Sequence, residues 1–173
     1  PALVEMESEL DAFLNDRKDG APEINWIMIA GNGEPTLHPR FPEAIVIGSD
    51  QVAILEGSVL GKPGNHANAL RQLKAMRGKE VAFHTALCVC DAASGQALTR
   101  VLPYYVRFRD YSDAQIERYL RREQPYDCAG SARCEGLGIA LIAEMRGADP
   151  NALIGLPLIA LTEMLAALGV SIL

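Results

Sequence analysis

Residues 43–50 read EAIVIGSD, a continuous apolar run that ends on polar residues. A run of this kind fits a strand covered on both faces, and the carboxyl end of such a strand is where open α/β sheets bind ligands. Asp50 is expected at that tip. Just beyond it, QVAILEGSVLGKP, residues 51–63, reads as a hairpin turning at Glu56-Gly57, while upstream INWIMIA, residues 24–30, is a second short strand running into Gly31-Asn32-Gly33.

Helical patterns alternate with these strands. Leu3, Met6, Leu10, Phe13 and Leu14 share a stripe over residues 2–17, stopped by Gly20-Ala21-Pro22. Asn65 is placed to cap a helix whose stripe is Ala69, Leu70, Leu73 and Met76 and which ends at Gly78. Ser112 and Gln115 form a capping box before DAQIERYLRR. Pro157 stands at a first helical position, followed by a stripe of Leu158, Leu161, Leu165 and Leu168 closed by Gly169. Between them lie a long strand from Glu80, a turn at Ala93-Ser94-Gly95 and a return strand in which Val106 and Phe108 alternate with Arg107 and Arg109; a further return to the sheet is expected through GIALIAEM, residues 138–145. The expected fold is α/β with a mixed β-sheet flanked by helices.

The chain has 173 residues, 49% of them hydrophobic, enough for one main domain with a buried core. A net charge of -6 and a pI near 5.1 argue against a nucleic-acid polymer as partner. No apolar run reaches the roughly 20 residues needed to span a bilayer, and PALVEMESEL lacks the basic and apolar regions of a secretory signal, so the expectation is a soluble, cytoplasmic protein with no membrane partner. Cys88, Cys90, Cys128 and Cys134 form no C-x-x-C pair and are expected as reduced thiols.

Three places can carry chemistry. A carboxylate at a strand end, Asp50, suits a divalent metal or the proton of a water, although a turn-capping aspartate has the same pattern. Lys62, between Gly61 and Pro63, has a stiff backbone from which to neutralise a phosphate; a solvated turn lysine is the alternative. In CAGSARCEGLG, residues 128–138, backbone N–H groups and the Arg133 guanidinium suit an anion, as they also suit an ordinary glycine-rich turn. His84 fits a hydrogen-bonded strand histidine better than a catalyst.

In this order, AIVIGSDQVA, LGKPGNHANALRQLKAMRGKEVAFHT, VRFRDYSDAQIERYL, QPYDCAGSARCEGLGIALI and ALIGLPLIALTEMLAALGV resemble the Maf family of nucleoside triphosphate pyrophosphatases over about residues 41–170. The resemblance implies a Maf/ITPase-like fold and a divalent-metal-assisted (Mg²⁺ or Mn²⁺) hydrolysis of a small-molecule nucleotide to its monophosphate and pyrophosphate. It implies Asp50, the candidate metal ligand above, as proton acceptor, and Lys62 as a phosphate contact. Gln51 and Glu135 resemble the subgroup that prefers 7-methyl-GTP; the subgroup acting on dTTP and UTP usually has Thr and Gln there. A carboxylate suits a methylated guanine, which carries positive charge and N–H donors. The resemblance also implies a homodimer.

Residues 1–40 depart from that pattern. They lack the Ser-rich, Arg-containing loop with which the family grips a triphosphate, and the expected consequence is weakened or absent hydrolysis, leaving at the extreme a nucleotide-binding module. Instead, INWIMIAGNGEPTLHPRFPE resembles radical SAM proteins, without their cluster-binding cysteines, so no iron-sulfur cluster is expected. The expected organisation is a radical-SAM-like segment over 1–40 and a Maf-like domain over 41–173.

Overall fold

The computed structural model describes residues 26–30 and 42–172. The helix expected over 2–17 and the turn at Gly31-Asn32-Gly33 fall outside the described residues. Six strands form one sheet: β1 (Trp26–Ala30), β2 (Ile45–Leu55), β3 (Ser58–Leu60), β4 (Glu80–Asp91), β5 (Ala97–Phe108) and β6 (Ile142–Gly147). Their order is β1-β2-β4-β5-β6, with β3 paired to β2. β1 runs parallel to β2, with Trp26 opposite Ile45, whereas β2 with β3 and β5 with β6 are antiparallel. The sheet is therefore mixed. Helices α1 (His66–Met76), α2 (Asp113–Glu123) and α3 (Leu158–Ala167) complete the α/β fold.

One expectation changes in β2. Asp50 does not end the strand; the ladder continues without a break through Gln51 to Leu55. The reason lies in the residues that follow, since Ala53 and Leu55 bury their side chains while pairing with Leu60 and Ser58. The chain reverses only where Glu56 (φ 48°) and Gly57 (φ 81°) take left-handed backbone, the geometry of a tight hairpin turn. Asp50 is thus an exposed mid-strand residue.

The chain divides into two compact units. One comprises Pro1–Asp50, Ala86–Arg100 and Leu158–Leu173. Its buried residues include Val46 and Ile47 of β2, Leu87 to Cys90 of β4, and Leu161, Met164 and Leu165 of α3. The continuous apolar runs in both strands match burial on both faces. Ser49 Oγ donates to the Ala86 carbonyl at 3.0 Å, and Arg100 pairs with Glu163.

The other unit is Gln51–Thr85 and Val101–Pro157. Its core gathers Ala53 and Leu55, the α1 stripe Ala69, Leu73 and Met76, Val81 and Phe83, Val106 and Phe108, and the α2 face Ile116, Tyr119 and Leu120. Each large side chain removed from water here contributes about 1.5–3 kcal/mol against the entropy of ordering it. Local signals set the helix starts. Asn65 Oδ1 accepts from the Asn68 backbone N–H at 2.9 Å, and Ser112 and Gln115 form the reciprocal capping box.

Candidate functional site

A cavity of about 150 Å³ opens in the second unit, lined by parts of β2, β4, β5 and β6 and by two loops. Phe83, Val106, Phe108 and Ile142 supply apolar walls, Gln51 and Glu135 polar ones. Phe83 and Phe108 also belong to the core, so the cavity's apolar wall is continuous with it. An apolar concavity with a few polar groups is the usual form of a small-molecule site.

The loop after α2 brings Cys128, Ala129, Ala132, Cys134 and Glu135 to the cavity. Its path depends on left-handed backbone at Gly130 (φ 68°) and Ser131 (φ 58°). Ser131 is fully buried, and its hydroxyl donates to Gln72 Oε1. A close approach explains Gly138, where a Cβ would sit 2.3 Å from the Arg133 carbonyl oxygen. The loop is held further by the Arg133 backbone N–H, which donates to Tyr119 Oη at 3.0 Å.

Burial pushes the Cys128 thiol up to about 11 and the Cys134 thiol to about 12, in the second case with help from the neighbouring Glu135 carboxylate. Both thiols are protonated at neutral pH and are not nucleophiles. Cys134 Sγ instead donates to Glu135 Oε2 at 3.3 Å. Cys88 and Cys90 are buried free thiols in β4. Arg133, expected to face an anion, lies 3.7 Å from Glu135 Oε1 and 3.8 Å from Glu123 Oε1, so two carboxylates already share its charge.

Gln51 is tied to residues far away in the chain. Its Nε2 donates to Thr85 Oγ1 at 3.0 Å, to the Ala152 carbonyl at 2.7 Å and to the Leu153 carbonyl at 3.2 Å. Thr85, fully buried, donates its own proton to the Ala152 carbonyl at 2.7 Å. This set roots the turn Pro150–Leu153 against β2 and β4, and Leu153 and Ile154 of that region line the cavity. Thr85 and the two carbonyls escaped sequence reasoning; their trace is a hydroxyl next to His84 in a largely apolar strand.

Lys62 is exposed on a turn whose backbone is held from both sides. Gln72 Nε2 donates to the Gly61 carbonyl at 2.9 Å, Asn68 Nδ2 to the Pro63 carbonyl at 2.8 Å, and the Gly64 N–H to the Tyr126 carbonyl at 2.9 Å. The chain around the lysine is fixed while its ammonium remains in water. Among the described residues, no group of three or more His, Cys, Asp or Glu side chains could enclose a metal ion.

A family model described as Maf-like protein matches residues 19–168. The chain belongs to the Maf family. The match begins upstream of Phe41 and includes β1. Similar Maf-family sequences are the 7-methyl-GTP pyrophosphatases of Methylobacillus flagellatus, 57% identical over 152 residues (88% of this chain, 79% of the relative), and of Nitrosospira multiformis, 54% identical over 151 residues (87% and 76%). That of Cupriavidus pinatubonensis is 48% identical over 149 residues (86% and 75%). The mixed sheet described above is consistent with the Maf fold.

Proposed function

We propose that this chain hydrolyses 7-methyl-GTP to 7-methyl-GMP and pyrophosphate. The observation that carries the reading is the cavity chemistry: Glu135, a carboxylate, stands on the polar wall together with Gln51, opposite apolar walls, so the wall offers a charged acceptor to a ligand. A guanine methylated at N7 brings a positive charge and N–H donors to such a wall. The names of its relatives agree with that substrate.

In the proposed reaction a water oxygen attacks phosphorus, its proton passes to Asp50, and the bond between the α and β phosphates breaks, with pyrophosphate leaving. Lys62 contacts a phosphate, its fixed turn limiting the entropy lost on binding. Glu135 and Gln51 hold the base, and Arg133 keeps the Glu135 carboxylate oriented. A Mg²⁺ or Mn²⁺ ion would arrive as a companion of the triphosphate, with Asp50 as the residue that would hold it, since magnesium is usually bound by one or two carboxylates plus substrate. When bound, it neutralises phosphate charge.

The similarity of residues 1–40 to radical SAM proteins is a reading of ancestry and assigns that segment no cofactor. A cytoplasmic location follows from where nucleoside triphosphates are made, and a homodimer from the family resemblance.

Pyrophosphate release from 7-methyl-GTP with Mg²⁺ or Mn²⁺ tests the assignment. The wild-type chain is expected to turn over, and Asp50→Asn to lose about 100- to 10,000-fold in kcat, the range of a positioned general base. Nucleotide-dependent stabilisation without turnover would convert the protein into a binding module.

A further inference from the structure

We propose that the groove between α2 and the turn Leu137–Leu141 is a second ligand site, one that takes a small phosphate monoester with an apolar body. The groove encloses about 180 Å³ and shares no lining residue with the cavity described above. Gln115, Arg118 and Arg122 line its helical side, and Leu137 and Ala140 line the other. Spacings of three and four residues put Gln115, Arg118 and Arg122 on one face of α2, with about 5–6 Å between neighbouring Cβ atoms.

Charge marks the site. Arg118 and Arg122 are exposed, and neither has a hydrogen bond or ion pair with any described residue. The carboxylates of the same helix are committed elsewhere: Asp113 pairs with Lys74 and Arg77, Glu117 with His66 and Arg121, and Glu123 with Arg133. Glu123 also accepts the Leu137 backbone N–H at 2.9 Å, which ties the turn to the helix and leaves the groove preformed. Two like charges one helical turn apart repel each other, and an anion between them removes that repulsion. Gln115 adds donors, since its Oε1 accepts from the Ser112 N–H at 2.8 Å while its amide NH2 group has no partner among the described residues.

The donor set selects the anion. Each guanidinium presents a planar fork that matches two oxygens. A carboxylate, with two oxygens and one charge, satisfies one fork. A phosphate monoester has three terminal oxygens and close to two charges at neutral pH, so it bridges both. Leu137 and Ala140 add apolar surface to the same groove, which a ligand with an apolar body covers and inorganic phosphate leaves bare. The whole chain carries a net charge of -6, so the attraction comes from this local pair and not from the long-range field.

The experiment titrates phenyl phosphate, inorganic phosphate and benzoate by calorimetry into wild type, Lys62→Ala, Arg118→Gln, Arg122→Gln and Ala140→Leu, with thermal midpoints alongside. Phenyl phosphate is expected to bind about tenfold more tightly than either of the other probes, and to keep that affinity in Lys62→Ala, which removes the lysine proposed for the nucleotide phosphates. Each arginine variant should weaken it about tenfold, the scale of a charged hydrogen bond. Ala140→Leu fills the groove without changing charge and should weaken phenyl phosphate more than inorganic phosphate. Benzoate as tight as phenyl phosphate, inorganic phosphate as tight as phenyl phosphate, no saturable binding, or a loss confined to Lys62→Ala would overturn the proposal. Should one arginine variant not fold, the other and Ala140→Leu decide it, and retained affinity in both defeats the site. Turnover of 7-methyl-GTP plays no part in the readout, so the hydrolysis assignment and this site stand or fall separately.

Discussion

The turn Gly61–Gly64 and the cavity loop 128–138 use polar groups in opposite ways. The turn fixes its backbone through Gln72, Asn68 and the Tyr126 carbonyl and leaves the Lys62 ammonium exposed. The cavity loop encloses part of its polar set: Ser131 is fully buried and burial raises the thiols of the half-buried Cys128 and Cys134, while the Glu135 carboxylate stays exposed. A charge in water costs the folded protein little and acts only when a ligand arrives. A buried polar group must be satisfied within the fold, so its removal disturbs stability and selectivity together. Gln72 joins the two regions, donating to the Gly61 carbonyl and accepting from Ser131.

The sharpest way to break this contrast is Lys62→Ala. Loss of a charged hydrogen bond to phosphate is worth roughly 1.5–3 kcal/mol, or about 10- to 150-fold in kcat/KM for 7-methyl-GTP, while the thermal midpoint should hardly move because the side chain is exposed. Steady-state kinetics beside a melting curve reads both; a large drop in midpoint would show that the lysine is structural.

Gln72→Ala cuts the link between the regions and should have an intermediate effect. Each of its two hydrogen bonds contributes about 1 kcal/mol at most, so kcat/KM is expected to fall roughly fivefold. If the turn and the cavity loop are coupled, the loss appears both in phosphate affinity, read with pyrophosphate as inhibitor, and in base preference. A loss confined to pyrophosphate would show two independent regions.

The smallest effect expected is that of alkaline pH. The folded state raises the Cys134 thiol from 9.0 to about 12 and Cys128 to about 11, so the unfolded chain gives up these protons first. Their contribution to stability is whole below about pH 9 and is lost as the pH rises toward the folded values. Urea midpoints measured across that window should decline, and a Cys134→Ser variant should decline less. Equal slopes would place the loss in other groups.

Much of the framework was legible along the chain because its causes are local. The Asn65 cap, the Ser112-Gln115 capping box, the Glu56-Gly57 turn and the alternation of Val106 and Phe108 each lie within a few residues, and each stands in the structure as expected. Asp50 was misjudged as a strand end because a polar pair inside an apolar run looks like a terminus; pairing with β3 carries the strand past it. The cavity was legible only in part. Gln51 and Glu135 stood out through the resemblance, whereas the partners of Gln51, Thr85 and Ala152, lie 34 and 101 residues from it.

The sequence by itself determined where helices and turns begin, which faces are apolar, and which family the chain resembles, since capping, periodicity and motif order are properties of neighbouring residues. Only the tertiary structure decided that Arg133 faces two carboxylates, that the Gln51 amide nitrogen is the end turned to Thr85 and Ala152, and that Cys128 and Cys134 are protonated wall groups. Those outcomes depend on burial and on partners brought together across the sheet, and neither quantity exists until the chain has packed.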